Sequence, residues 1–196
     1  MKKGDYISTI LRSKQTVLSA KDIMLLWGEA SSDAARVRIN YYTKGGDLYR
    51  IRRGFYAKDK DYNKFELATK IFTPSYVSFE SVLGQAGITF QYYNQIFIAS
   101  YTKREIVADG QTYSYKRIKD AILTNPAGIE NKDNYSIAIP ERAFLDVIYL
   151  NKDYYFDNLS PLNWDKVFEI LPIYGGNKRM GKMVKKYHKA LNTETK

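Results

Sequence analysis

The sequence predicts an α+β fold in two parts, a mostly helical part over residues 1–60 and a mixed α/β domain over residues 61–196. Three observations support this prediction. The first sixty residues contain three helical patterns followed by two short strand patterns. Strand patterns then dominate the middle of the chain, and helical patterns return at its end. Apolar side chains make up 44% of the 196 residues, which is enough to form a packed core.

The charge of the chain is high and unevenly distributed. There are 31 lysine and arginine residues against 21 aspartate and glutamate residues, a net charge of +10. Residues 1–60 hold 13 basic and 6 acidic side chains (net +7), residues 61–174 hold 11 and 14 (net −3), and residues 175–196 hold 7 and 1 (net +6). Both ends are strongly positive, which favours a polyanionic partner.

Missing residue types exclude several kinds of chemistry. The chain has no cysteine and one histidine, His188, so disulfides, thiol catalysis, cysteine-based zinc sites and most histidine-dependent catalysis are excluded. His188 lies among lysines, and we expect it on the surface. No run of about 18 apolar residues and no signal-peptide pattern is present. We therefore expect a soluble, cytoplasmic protein with no membrane association and no cofactor.

The first two helical patterns lie within residues 4–27. Apolar side chains spaced at i, i+3 and i+4 predict a helix over residues 4–12, and residues 16–18 are a short extended segment. Ser19, with Asp22 three residues later, has the spacing of a capping box and predicts the start of a second helix. Gly28 is expected to end it.

The third helix is predicted over residues 32–44, capped by Ser31 or Ser32 and ended by a pair of glycines. At 100° per residue, Ala35, Ile39 and Tyr42 form its buried stripe. The opposite, exposed arc carries basic, polar and apolar side chains: Arg36, Val37, Asn40, Tyr41 and Lys44, with Arg38 at its flank.

Two short strands around Gly54 follow within residues 47–57. Their core candidates are Leu48, Ile51 and Tyr56, and the turn is basic because Arg50, Arg52 and Arg53 surround the glycine. Three helices followed by a basic hairpin predict a winged helix-turn-helix.

This arrangement favours binding of double-stranded DNA. Arginine can form paired hydrogen bonds with guanine and asparagine with adenine, so Arg36 and Asn40 are the expected base-reading residues of a helix in the major groove. The hairpin would grip phosphates or the minor groove. Positioning contacts are expected from the remaining basic and aromatic side chains of this surface: Arg38, Tyr41, Lys44, Arg50, Arg52 and Arg53.

The rest of the chain is predicted to alternate strands and helices. Ser78 is expected to cap a short helix, Asp109-Gly110 has the composition of a hairpin turn, and a helix is expected over residues 140–150, with Glu141 and Asp146 complementing its dipole. The final helix has one apolar side and one basic side, which is a candidate second contact with DNA or another partner: Lys182, Lys185, Lys186 and Lys189.

A metal-dependent nuclease is the weaker alternative. Glu130 and Lys132 have the Glu-x-Lys spacing of restriction-like sites, and Asp109 or Asp120 would supply the upstream carboxylate. However, the composition of residues 125–134 predicts a loop rather than a strand. We therefore expect no catalytic residue, no metal site and no enzymatic activity.

Three blocks of the sequence resemble those of AbiEi-type antitoxins, in the same order along the chain. They are Arg-Ile-Arg-Arg-Gly-Phe-Tyr-Ala over residues 50–57, Thr-Pro-Ser-Tyr-Val-Ser-Phe-Glu-Ser-Val-Leu over residues 73–83 with Gly-Ile at 87–88, and Pro-Glu-Arg-Ala-Phe-Leu-Asp over residues 140–146. The resemblance spans residues 5 to about 150.

The resemblance implies a function in phage defence by abortive infection. Such proteins are antitoxins of type IV toxin–antitoxin systems and repress their own operon, which suggests an operator with inverted repeats. A second α/β domain neutralises a nucleotidyltransferase-like toxin, either by direct contact or by opposing its effect. A winged-helix transcriptional regulator without a toxin partner is the leading alternative.

Overall fold

The computed structural model describes residues 5–194 and shows an α+β protein, which confirms the predicted fold class. Its elements form an N-terminal unit around a three-stranded sheet and a C-terminal unit around a six-stranded sheet. Gly4, the predicted start of the first helix, lies outside the described residues. Within residues 5–194, no helix is both long enough and apolar enough to cross a membrane.

The N-terminal unit has three helices and three strands within residues 5–57. In chain order they are α1 (Asp5–Arg12), β1 (Val17–Ser19), α2 (Ala20–Trp27), α3 (Ser32–Gly45), β2 (Tyr49–Arg52) and β3 (Phe55–Ala57). The central strand of the antiparallel sheet is β3, which pairs with β1 on one side and β2 on the other.

Capping residues set the ends of α2 and α3. The Ser19 hydroxyl accepts the backbone N–H of Asp22, and the Asp22 carboxylate accepts the backbone N–H of Ser19 at 2.8 Å. This is the predicted capping box. Gly28 ends α2 with a φ of 61°, and Ser31, rather than Ser32, caps α3 through its side chain. The predicted helix boundaries are confirmed.

The core of the N-terminal unit lies between the helices and the small sheet. The predicted stripe of α3, Ala35, Ile39 and Tyr42, is buried. Trp27 of α2 packs its ring 6.1 Å from that of Tyr42 and donates its indole N–H to the Tyr6 carbonyl at 2.8 Å. Because the stripe faces inward, the opposite arc of α3 faces solvent.

The C-terminal unit contains helices and strands that alternate along residues 64–194. They are α4 (Lys64–Ile71), β4 (Ser75–Val77), α5 (Glu80–Leu83), β5 (Gln95–Ser100), β6 (Arg104–Ala108), β7 (Gln111–Arg117), α6 (Asp120–Leu123), β8 (Ile129–Lys132), β9 (Tyr135–Ala138), α7 (Pro140–Leu150), α8 (Trp164–Ile170), a 3₁₀ turn (Leu171–Tyr174) and α9 (Lys178–Glu194).

The six-stranded sheet is mixed, with the order β6-β7-β5-β4-β9-β8. Strands β6 and β7 form the predicted hairpin, whose turn residues Asp109 and Gly110 have φ values of 50° and 72°. Positive φ at both residues is typical of the type I′ turn, whose twist matches that of the two flanking strands. The parallel pairs are β5 with β7 and β4 with β9.

The two units share one continuous core. Val17, Ile51 and Ala57 of the small sheet belong to the same buried cluster as the apolar side chains of the large sheet. The connection over residues 58–63 is ordered by packing, because Tyr62 is buried and Asn63 caps α4. The polar composition of this segment therefore does not mark a free linker.

Two local predictions were wrong. Residues 129–132 form the edge strand β8, not a loop, because the turn-forming pair at 133–134 closes a tight hairpin with β9. The turn-forming residues beside this strand made the composition of the whole segment resemble that of a loop. Ser78 does not cap α5, since its hydroxyl is buried and donates to Asp146 at 2.8 Å.

Candidate nucleic-acid interface

The exposed arc of α3 has the composition and orientation of a DNA-reading surface. Arg36, Asn40 and Lys44 recur every fourth residue and are exposed, so they form one ridge about 12 Å long. Val37 and Tyr41 flank this ridge and are 71% and 56% exposed. Guanidinium and amide groups can pair with base edges, and Val37 can contact thymine methyl groups.

Arg38 is engaged within the N-terminal unit. Its Nη1 lies 2.9 Å from a carboxylate oxygen of Glu29, and its guanidinium lies 3.9 Å from the centre of the Tyr6 ring. The hydrogen bond from Arg38 and the backbone N–H of Ser31 lower the pKa of the Glu29 carboxyl. Arg38 therefore joins α3 to α1 and to the turn before α3, and the structure does not place it among the outward-facing side chains.

The β2–β3 hairpin presents two of its three arginines to solvent. Arg50 and Arg53 are exposed, and Gly54 has the left-handed φ of 84° that the turn requires. Arg52 is partly buried, and within residues 5–194 its Nη1 has no hydrogen-bond partner. Burial raises the pKa of Tyr115 in β7, and the charge of Arg52 opposes this rise. Arg52 therefore lies close to the C-terminal unit.

The basic side of α9 is exposed as predicted. Met180 and Val184 are fully buried against the C-terminal unit, and the lysines occupy the other side of the helix. These exposed lysines are Lys182, Lys185, Lys186 and Lys189.

A buried carboxylate ties the N-terminal unit to α4. Glu66 is 1% exposed, and its Oε2 accepts both the backbone N–H and the hydroxyl of Thr16, at 3.0 and 2.6 Å. Its Oε1 lies 3.2 Å from the ammonium of Lys70, which also donates to the Val17 carbonyl at 2.6 Å. These contacts fix β1 against the C-terminal unit.

The turn of the β6–β7 hairpin makes a second junction. The Asp109 carboxylate accepts the hydroxyl of Tyr49 at 2.7 Å and that of Tyr62 at 3.2 Å. Tyr49 belongs to β2, so one edge of the small sheet is joined to the large sheet. The sequence identified Asp109 as a turn residue, and this additional contact was not predicted.

The most buried ionic group of the C-terminal unit was missed. Arg142 and Asp146 of α7 are fully buried, 3.4 Å apart. Asp146 accepts hydroxyl groups from Tyr76, Ser78 and Tyr174 at 2.7 to 3.0 Å. Burial raises the pKa of Asp146, whereas Arg142 and the three hydroxyl groups oppose that shift. Asp146 therefore organises the interior and does not serve the helix dipole.

The residues considered for a nuclease site have other partners. Glu130 and Lys132 form an exposed ion pair at 2.6 Å, in which Lys132 lowers the pKa of Glu130. Asp109 accepts two tyrosine hydroxyls, and Asp120 begins α6. No group of three or more histidine, cysteine, aspartate or glutamate side chains in residues 5–194 could hold a metal ion. His188 is half-buried and stacks on Trp164 with ring centres 4.7 Å apart.

No protein-family model matches this chain, and no curated protein matches it.

Proposed function

We propose that residues 5–57 form a winged helix-turn-helix that binds double-stranded DNA. The order helix, strand, helix, helix, strand, strand supports this proposal, as does the pairing of β1 with the far strand of the β2–β3 hairpin. The observation that carries it is the exposed ridge of Arg36, Asn40 and Lys44 on a helix whose other side is buried. A ridge of this size fits the major groove.

In this proposal some of the exposed side chains read bases and others position the protein on the duplex. Arg36 and Asn40 read base edges, whereas Lys44, Arg50 and Arg53 contact phosphates. Arg38 has a different role from the one expected from sequence, because its contacts with Glu29 and Tyr6 hold α3 in place. Arg52 is partly buried and faces the C-terminal unit, so it is not counted among the phosphate contacts. Replacement of Arg38 would alter affinity through the position of α3.

Replacing Arg36 with alanine is expected to weaken operator binding by about 1–3 kcal/mol and to relax the preference at one base position. Arg53→Ala should instead weaken all duplex sequences alike and reduce the slope of log affinity against log salt by about one. Fluorescence anisotropy with labelled duplexes from upstream of the gene measures both effects. Lys166→Ala, an exposed change on α8, is the control. Unchanged operator affinity of Arg36→Ala would contradict the assignment of α3.

We further propose that the whole chain is the antitoxin and autorepressor of a type IV toxin–antitoxin operon. The resemblance of three sequence blocks to AbiEi-type antitoxins carries this proposal. Two of these blocks meet in the interior: Tyr76 and Ser78 of the second donate to Asp146 of the third. The two blocks therefore have a common packing role in this chain.

Co-expression with a nucleotidyltransferase-like toxin from a neighbouring gene tests the antitoxin proposal. The full chain is expected to restore growth when the toxin is expressed from an unrelated promoter. The double variant Arg36→Ala/Arg53→Ala should restore growth equally well while losing repression of its own promoter. If the full chain binds its operator but never restores growth, the antitoxin proposal is wrong and a winged-helix regulator without a toxin partner replaces it.

A further inference from the structure

The C-terminal unit contains a concentrated basic region that its overall charge conceals. Residues 61–174 carry a net charge of −3, yet five of their eleven basic side chains fall within residues 103–119. These are Lys103, Arg104, Lys116, Arg117 and Lys119. They come from the start of β6, the end of β7 and the segment that follows it, and pairing of the two strands brings them together.

All five residues line a hollow at this end of the sheet. Two adjoining cavities of about 680 and 670 Å³ share Arg117 and Leu150, so together they form one cleft. The end of α7 supplies the opposite wall, including the half-buried ring of Tyr149. Each volume lies within the range of about 300–1,000 Å³ that ligand-binding clefts occupy. We call this hollow the basic cleft.

Most of its cations are unpaired. Lys103, Arg104, Arg117 and Lys119 are exposed, and no carboxylate of the described residues lies within 4.0 Å of any of them. Lys116 differs, because it lies 2.9 Å from a carboxylate oxygen of Glu80. The lining also includes the carboxylates of Glu105 and Asp120. The cleft therefore keeps an excess of positive charge that its own carboxylates do not neutralise.

The basic cleft is separate from the Asp109 junction between the two units. Asp109, at the turn of the β6–β7 hairpin, contacts the N-terminal unit, and the cleft lies at the other end of the same hairpin. Six residue steps along β7, from Gln111 to Arg117, correspond to about 20 Å.

We propose that the basic cleft binds the phosphates of a single-stranded nucleic acid. Its unpaired cations, two of them arginines, suit phosphate oxygens, to which guanidinium groups donate in pairs. The concave shape selects the strand, because a single strand can bend into a hollow that a stiff duplex would span.

The test uses the full chain and a fluorescein-labelled oligothymidine of about twelve nucleotides, a length within the site sizes of single-strand binding proteins. Arg117→Glu/Lys119→Glu is expected to weaken binding of this oligonucleotide about 25-fold at about 0.1 M salt. Each lost phosphate contact reduces the slope of log affinity against log salt by about 0.7, and two such losses act over the tenfold range from about 1 M to about 0.1 M salt. An oligouridine of equal length shows whether the 2′-hydroxyl matters. Affinity for the operator duplex should stay unchanged, whereas Arg36→Ala should change only the duplex affinity.

The control variant Lys60→Glu/Lys166→Glu makes the same change in net charge at two exposed lysines outside the cleft. Equal weakening by the control would show that only overall charge matters and would overturn the proposal. Unchanged oligothymidine binding by the cleft variant would do the same. Polyglutamate of matched charge is the competitor: if it displaces the oligonucleotide as well as unlabelled oligothymidine does, the cleft suits an acidic protein segment and the proposal is wrong.

Discussion

Replacing Arg142 with methionine is expected to lower the free energy of unfolding by about 3–5 kcal/mol. The guanidinium is fully buried and donates to the carbonyls of Ala127 and Ile122, both at 2.7 Å, and to the Tyr76 hydroxyl at 2.9 Å. Its removal leaves Asp146 as a buried carboxylate without a compensating charge. This penalty far exceeds the loss of one exposed ion pair, which is worth about 1 kcal/mol or less.

Urea denaturation of the purified variant measures this loss. Arg53→Met, at an exposed position of the β2–β3 turn, is the matched control and should change stability by less than about 0.5 kcal/mol. The double variant Arg142→Met/Asp146→Asn should be less destabilised than Arg142→Met alone, because the buried charge is removed while the amide oxygen still accepts hydrogen bonds from the surrounding hydroxyls. A loss below about 1 kcal/mol for Arg142→Met would contradict the role assigned to the pair.

Replacing Glu66 with alanine is expected to lower the free energy of unfolding by about 2–3 kcal/mol, because hydrogen bonds to a buried charged group are lost. Thr16 would lose its partner for both the backbone N–H and the hydroxyl, and Lys70 would lose one of its two carboxylate neighbours. Since these groups lie between the units, the N-terminal unit should be affected most.

Hydrogen exchange followed by mass spectrometry locates the effect of Glu66→Ala. Amides of α2 and α3 are expected to exchange faster than in the unmodified protein, while those of α7 keep their protection. Glu169→Ala, an exposed change on α8, is the control and should leave both regions unaffected. Equal acceleration in α2 and α7 would show that Glu66 supports the whole fold and not the junction.

Local signals predicted much of the fold and of the candidate interface. The capping box at Ser19, the glycine after α2 and the buried stripe of α3 depend on spacing within a few residues, which a sequence shows directly. The same is true of the β6–β7 turn and of the amphipathic α9. The exposure of the α3 ridge followed from the stripe, because a helix that buries one side must present the other.

Contacts between distant residues could not be predicted in this way. Arg142 and Asp146 have the spacing of an ordinary helix-surface ion pair, and only Tyr76 and Tyr174, far away in sequence, show that they are buried. Arg38 was expected to contact DNA, and its ion pair with Glu29 was not predicted. Glu29 lies in the turn before α3, so the helical repeat does not show that the two side chains meet. The basic cleft was missed because the net charge was counted over residues 61–174. That sum combines the cations of the cleft with the carboxylates of the same long segment.

The contacts of Asp109 and Glu66 have a consequence for operator geometry. One holds β2 and the other holds β1, so the small sheet is attached at both of its edges and has no hinge at residues 58–63. If two copies bind inverted repeats, neither can swivel its reading helix independently of the rest of the chain. The number of base pairs between half-sites would then be dictated by the bulk of the C-terminal unit.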